Sequence, residues 1–255
     1  MKTTWTIALA CFGLLLSSAA GAAELQVSIG IRETGGTGPI GDDGGASGGI
    51  EFVNLNGQTL TADGSWQLFT FTPAEDTLTA FAGATANSIL DTEWGVLEQI
   101  RFQNTADGFT GYRVWIDDAS NTDSAGTETI DFEPPIPVGT EVAFQEPSFS
   151  GSTNANLDTS TWNSAGVDDS MAFAGSQSYL VEFEFVDDDP SRWLRLTTFN
   201  AANLPNPLVH LSEPGAGTQP TISFYAKAVA IPEPSTGIAV LLGGLAAIVM
   251  LRRSR

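Results

Sequence analysis

A chain of 255 residues with 30 acidic and ten basic side chains carries a formal net charge of −20. A surface this acidic repels phosphate backbones and anionic membrane, which excludes nucleic acid as a partner. The single cysteine, Cys11, excludes disulfides and thiolate metal sites, and the single histidine, His210, excludes a multi-histidine metal cluster.

In chain order, the first segment is an export signal. Lys2 supplies a positive start, Trp5 to Leu16 is almost wholly apolar, and Ser17 to Ala23 is a string of small residues. Residues 1–23 therefore read as a signal peptide, with Ala22 and Ala23 at the cleavage point and a mature chain starting at Ala23 or Glu24. The apolar run falls below the roughly 20 residues a spanning helix needs, and no positively charged stop follows it. Cys11 lies inside this run behind Ala8-Leu9-Ala10, a poor context for lipid attachment. The mature body then has no cysteine and must hold itself by apolar burial, which its length permits.

Residues 24–231 read as strands. Leu25, Val27, Ile29 and Ile31 alternate with polar or small neighbours, as do Tyr112, Val114 and Ile116, then Tyr179, Val181, Phe183 and Phe185, then Ile222, Phe224, Ala226 and Ala228. Ser65 to Thr72, Val96 to Gln103 and Arg192 to Phe199 also suit strands, and clusters of Gly, Asn, Asp, Ser and Pro separate them. The expectation is an all-β fold, a β-sandwich, with a closed barrel as the alternative. Gly35 to Gly49 lacks apolar periodicity and reads as a loop. Pro134 to Pro137 is the only stiff break near mid-chain and a candidate sub-boundary. The halves on either side share no alignable pattern, so one sandwich built from both is expected.

Several strings resemble the jelly-roll, galactose-binding-like modules that accompany bacterial carbohydrate-active proteins. These are Gly64-Ser65-Trp66-Gln67, Leu97-Glu98 leading to Ile100-Arg101-Phe102, and Tyr112 to Asp118, ending in Trp115-Ile116-Asp117-Asp118. The resemblance implies a jelly-roll-like body and sugar binding. In such modules the last string closes the domain, whereas here it falls mid-chain.

Candidate chemistry is sparse. His210 lies in Leu208-Val209-His210-Leu211 with no Gly-x-Ser-x-Gly elbow to support a triad, and reads as a structural strand histidine. Glu182 and Glu184 share one face of a strand but alternate with Val181, Phe183 and Phe185, the pattern of a wet face. Asp187-Asp188-Asp189-Pro190 reads as a hairpin loop. No catalytic residue is assigned. Calcium takes carboxylate and carbonyl oxygens from loops, and Asp42-Asp43, Asp117-Asp118 with Asn121 and Asp123, Asp168-Asp169 and Asp187 to Asp189 offer them. Solvated turns are the preferred reading of these carboxylates, with Asp117 and Asp118 the pair chosen for calcium; no other cofactor is expected. For sugar stacking, Trp94 and Trp162 lie in polar, turn-like stretches, while Trp66, Trp115 and Trp193 sit in strands and should pack.

At the end of the chain, Pro232-Glu233-Pro234 precedes the apolar run Gly237 to Leu251 and then Arg252, Arg253 and Arg255. Prolines bar a helix upstream, the 15-residue run can just enter a bilayer, and the arginines stay cytoplasmic. Residues 232–255 resemble the PEP-CTERM sorting signal of Gram-negative bacteria, with a permanent single-span anchor as the bland alternative. The resemblance implies recognition by an exosortase, cutting near the motif, and association with exopolysaccharide and biofilm matrix. The expected protein is exported with the help of signal peptidase. It passes through the inner membrane as an intermediate and ends at the cell surface or outside it, as a non-catalytic module associating with extracellular polysaccharide. A purely structural matrix protein and a polysaccharide-active hydrolase are the alternatives.

Overall fold

The computed structural model describes residues 23–34, 49–130, 132–198 and 207–231. Ala22, the 35–48 segment with Asp42-Asp43, the Pro232-Glu233-Pro234 motif and the terminal arginines lie outside the described residues.

Alternation drives the first strand: Leu25, Val27, Ile29 and Ile31 of β1 (Glu24–Glu33) are fully buried on one side. β1 sits between β2 (Ile50–Thr61) and β5 (Trp94–Asn104), both antiparallel to it. β4 (Leu78–Ala82) extends the sheet beyond β2. On the far side of β5 lie β10 (Trp193–Thr197) and the three-residue β11 (Leu208–His210). A second antiparallel sheet runs in the order β3 (Asp63–Phe71), β12 (Thr221–Ile231), β6 (Gly111–Asp123), β9 (Ser178–Glu184), β8 (Ser164–Asp168), with β7 (Gly126–Ile130) also pairing β6. We call these sheet A and sheet B. Two single 3-10 turns, Pro147–Phe149 and Asn154–Asn156, are the only helical turns among the described residues.

The sheets face each other over one apolar core, as in a sandwich. The predicted inward sets are all in it: Tyr112, Val114 and Ile116 from β6, Tyr179, Val181 and Phe183 from β9, and Ile222, Phe224, Ala226 and Ala228 from β12. Phe224 lies 5.6 Å from Phe69 and 6.1 Å from Phe71. Phe183 of sheet B stacks on Phe102 of sheet A at 6.0 Å, which joins the two layers. Both sheets draw strands from either side of Pro134–Pro137, because β10 and β11 complete sheet A while β8, β9 and β12 complete sheet B.

Two elements depart from the sequence reading. Asp187 to Asp189 does not turn a hairpin: it carries the chain from β9 in sheet B to β10 in sheet A. Its carboxylates also do more than stay solvated, since Asp187 pairs with Arg192 at 2.7 Å and Asp188 accepts from Asn104 and Gly108. In β2, Val53 pairs with Ile29 and Gln58 with Val27, so residues 54–57 bulge out opposite Ser28 alone. Asn54 at φ 53° and Gly57 at φ 77° make that bulge.

Phe224 is fully buried and touches two other rings, so Phe224→Ala should cost about 3–5 kcal/mol in urea denaturation. Leu68→Ala, at a side chain 54% exposed, should stay within about 0.5 kcal/mol. A Phe224→Ala cost no larger than that of Leu68→Ala would contradict this core.

Candidate functional site

The outward face of sheet A is built from residues one step out of phase with the core. Register places Ser28 beside Arg101 and Arg101 beside Arg195, and in the next row Gly30 beside Gln99 and Phe52. A flat sheet would leave these side chains wet. Instead Phe81 on β4 and Trp193 on β10, at opposite ends of the five-strand path, have ring centroids 5.8 Å apart. Four strand spacings amount to about 19 Å, so the face is concave and the edge side chains arch over its centre. Phe52 completes the arch, 4.7 Å from Phe81 and 5.8 Å from Trp193.

Beneath the arch lie charges. Glu98, 1% exposed at its side chain, accepts two 3.2 Å bonds from Arg32 and one of 3.2 Å from Arg195. Arg195 also donates to Gln99 and to Ser152, and its guanidinium lies 5.1 Å from the Phe81 ring centre. Arg101 has no carboxylate partner among the described residues. Its guanidinium lies 4.9 Å from the ring centre of Trp193 and 5.6 Å from that of Phe52, and donates to Gln103 and to the Leu55 carbonyl on the β2 bulge. Burial pushes Arg101 down to about 10, and lowers Arg195 as well, against the opposing pull of Glu98. Gly30 is required here: a Cβ would come within 2.7 Å of Gln99 Cγ, which lies flat across it. Three polar atoms in this block, Ser28 Oγ, Gln99 Nε2 and Arg101 Nε, are buried without a hydrogen-bond partner.

A second assembly lies at the end of the sandwich where β11 meets β6. Trp94 and His210 are cross-strand partners, and their rings stack at 4.1 Å and 3°. Asn121 of β6 clamps the His210 backbone in both directions, accepting its N–H at 2.7 Å and donating to its carbonyl at 3.1 Å. His210 Nδ1 lies 2.9 Å from Asp123 Oδ2 and 3.4 Å from Glu213 Oε1. Two carboxylates face Nδ1, a geometry that favours the tautomer with its hydrogen there. Trp94, Asn121, Asp123, Thr127 and Glu128 line a cavity of about 390 Å³. An apolar cavity of about 190 Å³ adjoins it between Leu97, Ala119, Ile130 and Phe224.

The other sequence-derived candidates fall apart from these two places. Asp117 is buried, and its carboxylate accepts the backbone N–H groups of Asp118, Phe173 and Ala174; burial pushes it above its ordinary value. Its oxygens thus hold the 173–174 loop, while Asp118, at φ 48°, shares a hollow of about 310 Å³ with Glu133. Trp162 is half-buried, its ring edge facing Gly111 at the start of β6. Glu182 pairs with Arg113 at 2.6 Å and takes a bond from Ser164, and Glu184 lies 3.5 Å from the Thr110 hydroxyl. Compared with protein families, with curated proteins and with solved structures, the chain matches none.

Sequence reasoning missed Arg101, Arg195, Glu98 and Gln99 because the polar positions of a sheet strand read as solvated. The available signal was the placement of Arg101 and Arg195 inside apolar strands.

The hydrogen bond from His210, with the Ala125 and Gly126 N–H groups behind it, holds the Asp123 carboxylate below its ordinary 3.8. The fold thus favours the ionised form, so the stabilisation is complete above pH 3.8 and disappears as pH falls through the lower folded value. Urea denaturation across about pH 5 to 2.5 should show a stability loss that Asp123→Asn makes smaller, the remainder coming from other carboxylates held low, such as Asp187 and Glu133; equal slopes in the two proteins would refute this coupling.

Proposed function

We propose that this chain is an exported cell-surface or extracellular-matrix protein of a Gram-negative bacterium. Signal peptidase cuts it at Ala22 and Ala23. The C-terminal apolar run holds it in the inner membrane as an intermediate, and an exosortase acts at Pro232-Glu233-Pro234, with Arg252, Arg253 and Arg255 on the cytoplasmic side. The body is a jelly-roll-like, non-catalytic module that associates with exopolysaccharide.

One observation carries the binding reading: the concave face of sheet A combines aromatic rings with hydrogen-bonding groups that lack partners. Trp193, Phe52 and Phe81 supply flat apolar surface, and Arg101 Nε and Gln99 Nε2 are donors suited to the hydroxyl and ring oxygens of a sugar. Trp193 and Phe81 are only half-buried, so rotation of either side chain opens a way to them. Trp94 has one indole face against His210 and lines a cavity of about 390 Å³ in which a sugar could lie, and half-buried Trp162 is the second candidate. The body carries 29 acidic and six basic residues, which disfavours anionic chains and points to a neutral glycan.

Two measurements test this reading. Expressed in a host with an exosortase, the surface or medium form should have an intact mass that begins near Glu24 and ends near Pro234; a membrane form retaining Arg255 would sink the sorting claim. Among immobilised polysaccharides, a neutral one should bind with little salt dependence. Trp193→Ala and Arg101→Gln should each weaken that binding at least about tenfold, a loss on the order of 1.4 kcal/mol. Unchanged binding in both variants would remove the concave face from consideration.

A further inference from the structure

We propose that His210, Asp123 and Glu213 form a binding site for one divalent cation of borderline softness, with zinc as the reference ion, and that the ion fastens sheet A to sheet B. The site shares no residue with the concave face, and of the residues named for glycan contact only Trp94 touches it, so the variants Trp193→Ala and Arg101→Gln test the glycan reading separately.

The geometry comes first. One ligand atom from each of the three residues can be chosen so that all lie within 4.8 Å of one another. Nitrogen and oxygen ligands at about 2.0–2.2 Å from a tetrahedral zinc sit roughly 3.3–3.6 Å apart. His210 Nδ1 is 2.9 Å from Asp123 Oδ2 and 3.4 Å from Glu213 Oε1, close to the spacing a shared ion needs, and side-chain rotation that draws the two carboxylates together, from within 4.8 Å, admits an ion in place of the Nδ1 proton. The donor set then selects the metal. One imidazole nitrogen with two carboxylates suits zinc and its first-row neighbours, whereas calcium prefers six or more oxygens.

The surroundings orient each ligand. Asp123 Oδ1 is occupied by the Ala125 and Gly126 N–H groups, which turns Oδ2 toward His210. Ser124 donates to Glu213 through both its N–H and its hydroxyl, and the Glu213 backbone is tied to the Gln219 amide on both sides. The imidazole is fixed by the Trp94 stack and its backbone by Asn121. Such outer contacts keep metal ligands in place. Three protein ligands leave one coordination position open. Besides the hollow beside Trp94, a cavity of about 390 Å³ lined by Asp123, Ser124, Glu213 and Gly217 gives an ion and its water a way in.

The topology gives the ion a task. Asp123 ends β6 in sheet B, His210 belongs to β11 in sheet A, and Glu213 lies on the connection from β11 back to β12. β11 is three residues long and, among the described residues, pairs only with β5. A shared ion ties these three segments together in a body without cysteine, where no disulfide can do so.

The experiment uses the purified full chain, stripped with chelator and titrated with Zn²⁺ or Ca²⁺ in a calorimeter, with intrinsic tryptophan fluorescence and thermal melting read in parallel. One zinc per chain is expected, with altered tryptophan emission and a melting temperature raised by several degrees at a hundredfold excess over Kd. His210→Gln, which keeps a polar side chain, should weaken zinc binding at least about a hundredfold; Glu213→Gln provides the same readout if that variant does not fold. No zinc binding, zinc binding within about threefold of wild type in the folded variants, or calcium bound as tightly as zinc would each overturn the proposal.

Discussion

Phe183 stacks on Phe102 across the interior at 6.0 Å and on Tyr112 within its own sheet at 5.7 Å, so one ring contacts both layers of the sandwich. Beside it Phe224 lies against Phe69 and Phe71, and Tyr179 against Phe132 and Phe144. A cysteine-free body with 29 carboxylates has no covalent staple and has mutual repulsion to overcome. It is held by the removal of this aromatic layer from water, at about 25 cal/mol for each Å² buried. The acidic surface is tolerable because the core is continuous; exposed carboxylates also find local donors, as Asp63 and Asp158 do in Ser65 and Ser160.

The placement of the few cations follows from the same constraint. Of six basic residues in the body, Arg32, Arg101 and Arg195 gather on the concave side of sheet A. Gathering three like charges away from water is costly unless they are paired. Glu98 compensates two of them through three hydrogen bonds, and the Trp193 and Phe52 faces stand where a carboxylate would be expected for the third. Arg101 is therefore held by rings and neutral oxygens, an arrangement weaker than an ion pair and open to a further hydrogen-bond acceptor.

The sequence made the alternating strands legible because β1, β6, β9 and β12 have regular cores with period two. β2 was hidden by its bulge: Ile50 to Val53 is buried at every position, and Asn54 and Gly57 break the rhythm that follows. β4, β7, β8 and β11 are three to five residues long, too short for a pattern to stand out. Asp187 to Asp189 looked like a hairpin because a turn and a crossing between sheets use the same residues; only the partners of β9 and β10 distinguish them. His210 read as structural from its apolar neighbours, and its stack on Trp94 fits that reading. Its carboxylate partner Asp123 is 87 residues away, however, and no local pattern reports a contact at that distance.

The two outer faces of the sandwich differ in one respect that bears on function. Over sheet B, Phe173 stacks on Tyr225 at 3.5 Å, and the loop carrying it is fixed where Asp117 accepts from Phe173 and Ala174 and Glu133 accepts from Ser176 and Gln177. These carboxylates find backbone donors, as buried polar groups do when a surface serves only the fold. Over sheet A the side chains cover one another instead. Of the five buried side-chain atoms without a partner among the described residues, the three with hydrogens to donate, on Ser28, Gln99 and Arg101, occupy one block of adjacent residues. The other two are amide oxygens, on Asn154 and Asn163. An unmade hydrogen bond to a buried group costs about 1–3 kcal/mol, and a fold selected for stability alone would place apolar side chains at these positions. Their clustering side by side beneath half-buried aromatic rings supports the proposal that this face binds a ligand.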